Sequence, residues 1–372
     1  MSKKFSVFLS ALFCAFLGGM LVVSTILPDQ EFSQLENRNL QKAPVLSVKN
    51  LTEGKFMTDA EEYVSDHLVG RDLWVAMKTW CERLSGKQEN NGVYFGSEET
   101  LINRLDQPDQ DKLDQDMEYL DKLVSNVDVP VYFGLIPSSA SIWADRLPSG
   151  APSADEQAII HRLYAKTRAE TVDLYTALSS HAGEDIYYRT DHHWTSLGAY
   201  YGYAALMETM GLEPVFLDSL TPTTVTEDFN GTIFSTSGVR WVRPDSIQTY
   251  IPDQGLEVTF YPDGRPIQGS LYVPEHLEEK DKYSYFLGGV QPLCTIKTAN
   301  TGAPKVLLIR DSYSDSLAPF LTENFSQIHL WDLRYNAKSL KEYIEENHID
   351  NVVVLYSISN FVSDKNLFML GR

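Results

Sequence analysis

The first pattern along the chain is an uncharged apolar run over residues 5–27. At about 1.5 Å of rise per helical residue it is long enough to cross a bilayer. Lys3 and Lys4 precede it, and the first charges after it are Asp29 and Glu31. The positive-inside rule therefore predicts a cytoplasmic N-terminus and an exported bulk. Residues 1–27 read as an uncleaved single-pass anchor. The alternative is a cleaved signal peptide, for which the run is long and no clear Ala-x-Ala site follows. Residues 28–50 read as a tether.

Beyond the tether, Phe56, Ala60, Tyr63 and Val64, then Leu73, Met77, Trp80 and Leu84, recur at helical spacing, and Gly70 divides them into two helices. Asn90-Asn91-Gly92 before the apolar run 93–96 is a hairpin signal. Helices are predicted over 111–127, 154–169 and 339–347, and from a Thr195 or Ser196 cap to about Met210. Five short apolar runs, near residues 131, 172, 306, 328 and 353, read as strands. Residues 214–301 change character, being rich in β-branched, aromatic, Gly and Pro residues. They read as a β-rich insertion with strands over 250–258 and 269–273. Outside it, strand and helix alternate. That predicts an α/β fold for residues 51–372, with a parallel sheet of about five strands covered by helices on both faces.

Of the 372 residues, 43% are hydrophobic and 12% aromatic, ample for one large core or two smaller ones. The formal net charge is −20. Such a surface repels phosphate backbones, which argues against nucleic acid as a partner, whereas neutral glycans or small molecules are compatible with it. The cysteines are Cys14, inside the apolar run, and Cys81 and Cys294, which read either as one disulfide or as two buried thiols.

Two stretches carry chemistry. The first, Asp191-His192-His193-Trp194, offers a carboxylate two residues before an imidazole. Such an Asp can reach Nδ1 of that His across a turn and leave Nε2 free as a base. The second, Arg310-Asp311-Ser312-Tyr313, follows an apolar strand that would deliver Ser312 to the carboxyl edge of a sheet. A serine hydroxyl needs a base within hydrogen-bond reach and donors for the developing oxyanion, for which the Tyr313 N–H is a candidate. Three other readings stand beside this one. Asp311 and Ser312 can simply cap the helix that follows, or Asp191 can cap its helix while Trp194 fills core. Asp191, His192 and His193 can also hold a metal ion with Asp311 as a fourth ligand, although adjacent histidines rarely converge on one ion. We expect neither metal nor cofactor.

The same stretches resemble the SGNH-hydrolase-like AlgX/AlgJ family of polysaccharide O-acetylation, and more closely the bacterial family named for its Asp-His-His-Trp motif. The resemblance rests on Thr190-Asp191-His192-His193-Trp194-Thr195 and on Asp311-Ser312-Tyr313. It extends to Glu36-Asn37-Arg38, Asp66 with Arg71, Asn91-Gly92-Val93 and Phe229-Asn230-Gly231-Thr232, so that it spans most of residues 31–360. It implies a three-layer SGNH-like fold with a triad of Asp191, His193 and Ser312, and an acyl-serine intermediate that passes an acetyl group to a polysaccharide hydroxyl. It also implies a multipass membrane acyltransferase as acetyl donor, and a place at the bacterial cell membrane with the bulk outside the cytoplasm. Asn230, Arg310, His192 and Trp194 join Tyr313 as candidate oxyanion or substrate residues, and Trp143, Trp194 and Trp241 as candidates to stack on sugar rings. Arg310 stands where that family has glycine, whose dihedral freedom arginine lacks. The competing function is a non-catalytic module that binds glycan or helps assemble the envelope, with a vestigial triad.

Overall fold

The computed structural model describes residues 3–336 and 338–372. Met1 and Ser2, the first residues of the expected anchor, lie outside the described residues. The chain forms two compact units, one from Met1–Asn90 and Phe234–Trp241, the other from Asn91–Ile233 and Val242–Arg372. The first 40 residues of the domain expected over 51–372 thus belong with the N-terminal unit.

In the first unit, a helix over Lys3–Ile26 has no buried residue and is long and apolar enough to cross a membrane. Helices follow over Val48–Thr52, Lys55–Asp66 and Arg71–Leu84. Gly70, at φ 69°, breaks the last two apart where the sequence pattern placed the break. Part of the expected tether is folded. Phe32–Ser33 pairs antiparallel with Arg38–Asn39, and Arg38 and Arg71 are ion-paired with the carboxylates of Glu36 and Asp66. Partners up to 37 residues away give this polar stretch a conformation that its composition does not signal.

An eight-stranded mixed sheet organises the second unit. Its order is Ile267–Gln268, Glu257–Phe260, Leu293–Lys297, Gln327–Trp331, Lys305–Arg310, Asn351–Ser357, Val131–Ile136, Glu170–Val172. The last five are mutually parallel and are the five strands expected from the sequence. The first three are antiparallel and come from the insertion. They cover what would otherwise be an open edge at Gln327–Trp331, so the sheet is larger and more mixed than expected.

The insertion also departs from expectation internally. The run 250–258 is mostly loop, because Pro252-Asp253-Gln254-Gly255 is turn chemistry, with Gly255 at φ 73°. Strands Asp245–Thr249 and Glu257–Phe260 flank it. The run 269–273 follows a strand rather than forming one, and contributes a single bridge between Tyr272 and Phe286.

Side chains alternate between two cores. Val306 and Leu308 join the cluster that includes residues of helices Leu174–Ser179, Ser196–Thr209 and Ser314–Leu321. Leu307 and Ile309 join that of Gln110–Asn126, Glu156–Tyr164 and Leu340–Asn347. All four are 0–1% exposed, and each such burial stabilises by about 1.5–3 kcal/mol. Both faces of the central strand are therefore covered, in three layers. The cysteines are free: Cys14 and Cys81 are exposed and Cys294 is buried opposite Leu330 in the sheet. The disulfide reading is thereby set aside.

Candidate active site

The Lys305–Arg310 strand lies fifth in the eight-stranded sheet, with a parallel neighbour on each side, and carries Ser312 just past its carboxyl end. The helix after it packs on one face, and the helix leading to its other neighbour, Asn351–Ser357, packs on the opposite face. Crevices outside the carboxyl ends of such strands are where open α/β sheets bind ligands.

Asp311 fixes the loop. Its Oδ2 accepts from the Ser357 N–H (2.8 Å), the Ser357 hydroxyl (2.7 Å) and Asn360 Nδ2 (2.8 Å). Its Oδ1 accepts from the Tyr313 N–H at 3.1 Å. The Tyr313 N–H is thus committed to Asp311 rather than offered beside the serine hydroxyl. Nor is Asp311 turned toward the histidines as a fourth metal ligand. Arg310 is fully buried, with its Nη1 2.8 Å from Asp315 Oδ1. It points into the core, not toward a substrate, and its backbone stays out of the left-handed region, so no glycine is required there.

The Asp-His-His-Trp stretch is the tip of a narrow loop closed by a bridge between Tyr187 and Trp194. Asp245 holds its base, accepting from the N–H groups of Arg189 (3.1 Å) and Thr190 (2.8 Å) and from the Thr190 hydroxyl (2.6 Å). Thr195 caps the following helix by accepting from the Gly198 N–H, which leaves Asp191 free of that duty. Instead Asp191 Oδ1 accepts from the His193 N–H at 3.0 Å and lies 2.6 Å from His193 Nδ1. Its Oδ2 accepts from the Thr232 N–H (2.8 Å) and the Thr232 hydroxyl (2.9 Å). His193 Nε2 lies 2.8 Å from Ser312 Oγ. The fold thus brings Asp191, His193 and Ser312 into one hydrogen-bonded line across 119 residues of sequence separation.

Burial alone would raise the Asp191 carboxyl. The charges of His192 and His193, the His193 hydrogen bond and the Thr232 N–H outweigh it and hold the carboxyl well below the usual carboxylate range. An ionised Asp191 beside Nδ1 selects the tautomer with its proton there, leaving the Nε2 lone pair toward the serine. Burial, with the His193 charge adding to it, pushes the His192 imidazole down to about 4. His192 Nδ1 is 2.8 Å from Thr232 Oγ1, and a third of its side chain remains exposed. The donor atoms of Asp191, His192 and His193 lie close enough to hold a metal ion. However, Asp191 Oδ1, both ring nitrogens of His193 and His192 Nδ1 already face hydrogen-bond partners.

Trp194 is completely buried. Its Nε1 donates to the Tyr313 carbonyl (2.8 Å) and lies 3.1 Å from Ser316 Oγ. It therefore joins the two motif stretches and does not meet substrate. Its ring fits because position 202 is glycine, where a Cβ would lie 2.7 Å from the indole. Trp143 is also buried, and donates to the Ala182 carbonyl, so neither tryptophan presents a face to sugar. Trp241 packs on Trp80 in the other unit, with ring centroids 4.5 Å apart. Asn230 is partly buried, its carbonyl accepting from Lys280 Nζ at 2.6 Å.

Several residues of the site had no sequence reading. Tyr283 stacks on His193 and its hydroxyl donates to the Ser312 carbonyl at 3.0 Å. One tyrosine among 20 carries no mark of that role. Asp245 likewise has no motif of its own. Ser357 caps the helix Ile358–Ser363, and a Ser-x-x-Asn pattern after an apolar strand was a signal available for it. Gly231, by contrast, was part of the Phe229–Thr232 turn named in the resemblance; it lets Thr232 approach the carboxylate, since a Cβ there would lie 2.3 Å from Asp191 Oδ2.

Among solved structures, a DHHW family protein from Eubacterium siraeum is 26% identical to this chain. It superimposes with a TM-score of 0.67 over 76% of this chain and 95% of its own. Bacillus cereus PatB1, solved with a sulfonyl adduct, is 21% identical with a TM-score of 0.61, over 74% of this chain and 96% of its own. The O-acetyltransferase domain of Pseudomonas putida AlgJ is 16% identical with a TM-score of 0.46, over 73% and 93%. No curated protein matches the sequence. A profile of the DHHW protein family matches residues 127–331, more than half of the chain and the span that holds Asp191, His193 and Ser312: this chain belongs to the DHHW family.

Proposed function

We propose that this protein is a membrane-anchored serine acyltransferase or esterase that acts outside the cytoplasm and O-acetylates a cell-surface or exported polysaccharide. The observation that carries this reading is the contact of Ser312 Oγ with His193 Nε2 at 2.8 Å, backed by Asp191 at 2.6 Å from Nδ1. His193 takes the hydroxyl proton as Oγ bonds to the acetyl carbonyl carbon. The oxyanion collapses, the bond to the donor's leaving group breaks, and His193 returns its proton to that group. A sugar hydroxyl then gives its proton to His193 and attacks the acetyl-serine, and the sugar acetate leaves with Ser312 restored. On this reading His192, partly exposed beside the base, meets the acceptor hydroxyl. Acetyl-CoA is confined to the cytoplasm, so the donor is a multipass membrane protein that hands acetyl groups across the bilayer.

The test is labelling of the full chain with a fluorophosphonate or a sulfonyl fluoride, the latter chosen because PatB1 carries a sulfonyl adduct. Labelling at Ser312 that disappears in His193→Ala supports the nucleophile. No labelling and no p-nitrophenyl acetate turnover, with oligosaccharide binding retained, would instead support a non-catalytic glycan module. Acetyl transfer to a glycan acceptor, measured against hydrolysis, separates transferase from esterase.

A further inference from the structure

Exposed large hydrophobic side chains are distributed very unevenly outside the Lys3–Ile26 helix. Eleven fall in residues 45–84, and five among the described residues of 91–372. Helix Arg71–Leu84 buries only Thr79. Leu73, Met77, Trp80 and Leu84 stand on it at i, i+4, i+7 and i+11, one continuous stripe, exposed by 62, 46, 45 and 82%. Charge sets this segment apart as well. Residues 45–84 hold five basic and seven acidic side chains, a small share of the −20.

The chain ties this segment to the end of the apolar helix. Ser24, two residues before that helix stops, accepts from the Val69 N–H at 2.9 Å. The Tyr63 hydroxyl donates to Asp29 at 2.9 Å, and His67 Nε2 lies 3.3 Å from the Gln30 carbonyl. A cavity of about 610 Å³ at this junction is lined by Leu27, Val69 and Leu73 together. With Lys3–Ile26 read as an anchor, these contacts put the start of helix Arg71–Leu84 beside the end of the membrane span. Trp74, 39% exposed with its Nε1 donating to the Val69 carbonyl, sits where indole rings favour the membrane interface.

We propose that residues 45–84 lie against the outer surface of the same bilayer that Lys3–Ile26 crosses, with Leu73, Trp74 and Met77 in its interfacial layer. The partner of this surface is lipid. An amphipathic helix of this kind seats its apolar face at the boundary between headgroups and acyl chains, and the near-neutral charge of the segment removes the repulsion that the rest of the chain would meet at an anionic leaflet. The proposal rests on the reading of Lys3–Ile26 as an anchor.

The full chain, reconstituted in phosphatidylethanolamine–phosphatidylglycerol vesicles with brominated acyl chains, tests it through tryptophan emission. The chain carries Trp80→Phe and Trp241→Phe as background, so that Trp74 is the one indole left near the surface, Trp143, Trp194 and Trp331 being buried in the protein and out of reach of the bromines. The expected result is quenching that is stronger with bromines near the headgroup than near the chain end, and that is largely lost in Trp74→Phe. Quenching unchanged by Trp74→Phe overturns the proposal, as does its absence in chain that floats with the vesicles, the outcome expected if a partner protein covers this face or water does. Failure to float at all is a different result. It removes the anchor, and the proposal with it, and is scored by flotation before any fluorescence is read.

Discussion

The ring of Tyr283 lies flat on the imidazole of His193, with centroids 3.7 Å apart and planes within 8°. The same tyrosine donates its hydroxyl proton to the Ser312 carbonyl, so a single residue of the β-rich insertion holds both the base and the nucleophile's backbone. In the proposed mechanism, the imidazolium formed at His193 meets an aromatic face, an interaction worth about 0.5–2 kcal/mol. Tyr283→Phe keeps the stack and is expected to lower kcat a few-fold. Tyr283→Leu loses both contacts and is expected to lower kcat about 10-fold or more, with little change in KM. Steady-state hydrolysis of an acetyl ester measures both, and equal kcat for the two variants removes the stack from the account.

Asp191 orients His193 through Nδ1 and through the backbone N–H of the same residue. Asp191→Asn places an amide beside Nδ1, which favours the opposite tautomer and blocks Nε2 with a proton. We expect kcat to fall by about 10³–10⁴-fold, the order seen where a triad carboxylate is changed this way, with the far-ultraviolet circular dichroism unchanged.

Gly231 is a packing constraint on chemistry. A methyl group there would meet Asp191 Cβ and Oδ2 at 2.3 Å, well inside contact distance, so Gly231→Ala displaces the carboxylate or the Thr232 turn. Overpacking of this kind costs about 1–3 kcal/mol. A lowered Tm together with loss of fluorophosphonate labelling at Ser312 is the expected pair of results. Wild-type labelling would show that the turn moves without disturbing Asp191.

Glu156 is buried against Ser138, accepting from its hydroxyl at 2.5 Å and its N–H at 2.7 Å. Burial pushes its carboxyl up to about 7, against those two bonds, from 4.5. Between pH 4.5 and 7 the folded chain therefore keeps a proton that the unfolded chain has released, and stability falls as pH rises through that window. The ceiling on this effect is about 3 kcal/mol. Glu156→Gln carries no such proton and is expected to flatten the slope, as read by urea unfolding midpoints at pH 4.5 and 7.5.

The parallel core of the fold was legible because its strands are continuous apolar runs, Val306 to Ile309 being the clearest, and buried parallel strands have to be. Asp191, His193 and Ser312 were singled out by the spacing of the first two and the strand before the third, but each stretch alone also fitted helix capping or metal binding, and it was the family resemblance that grouped them. What stayed hidden depended on partners remote in the chain. Arg38 looked like part of a polar tether until Asp66 met it, and Tyr283 is an aromatic like any other until it lies on His193. Arg310 read as a gap in a glycine motif, and only Asp315 explains where its charge goes. In the insertion, the turn residues Pro252 to Gly255 were present in the sequence, and the apolar residues around them outweighed them in the reading.

The indole of Trp194 donates to the carbonyl of Tyr313, so the hydroxyl-bearing turn and the imidazole-bearing loop are braced by one bond between segments that the chain makes far apart. Neither half has its working shape alone. A chain cut short before Ser312 holds the Asp191–Trp194 stretch without the hydroxyl beside His193, so labelling at Ser312 reports when the two segments have folded together.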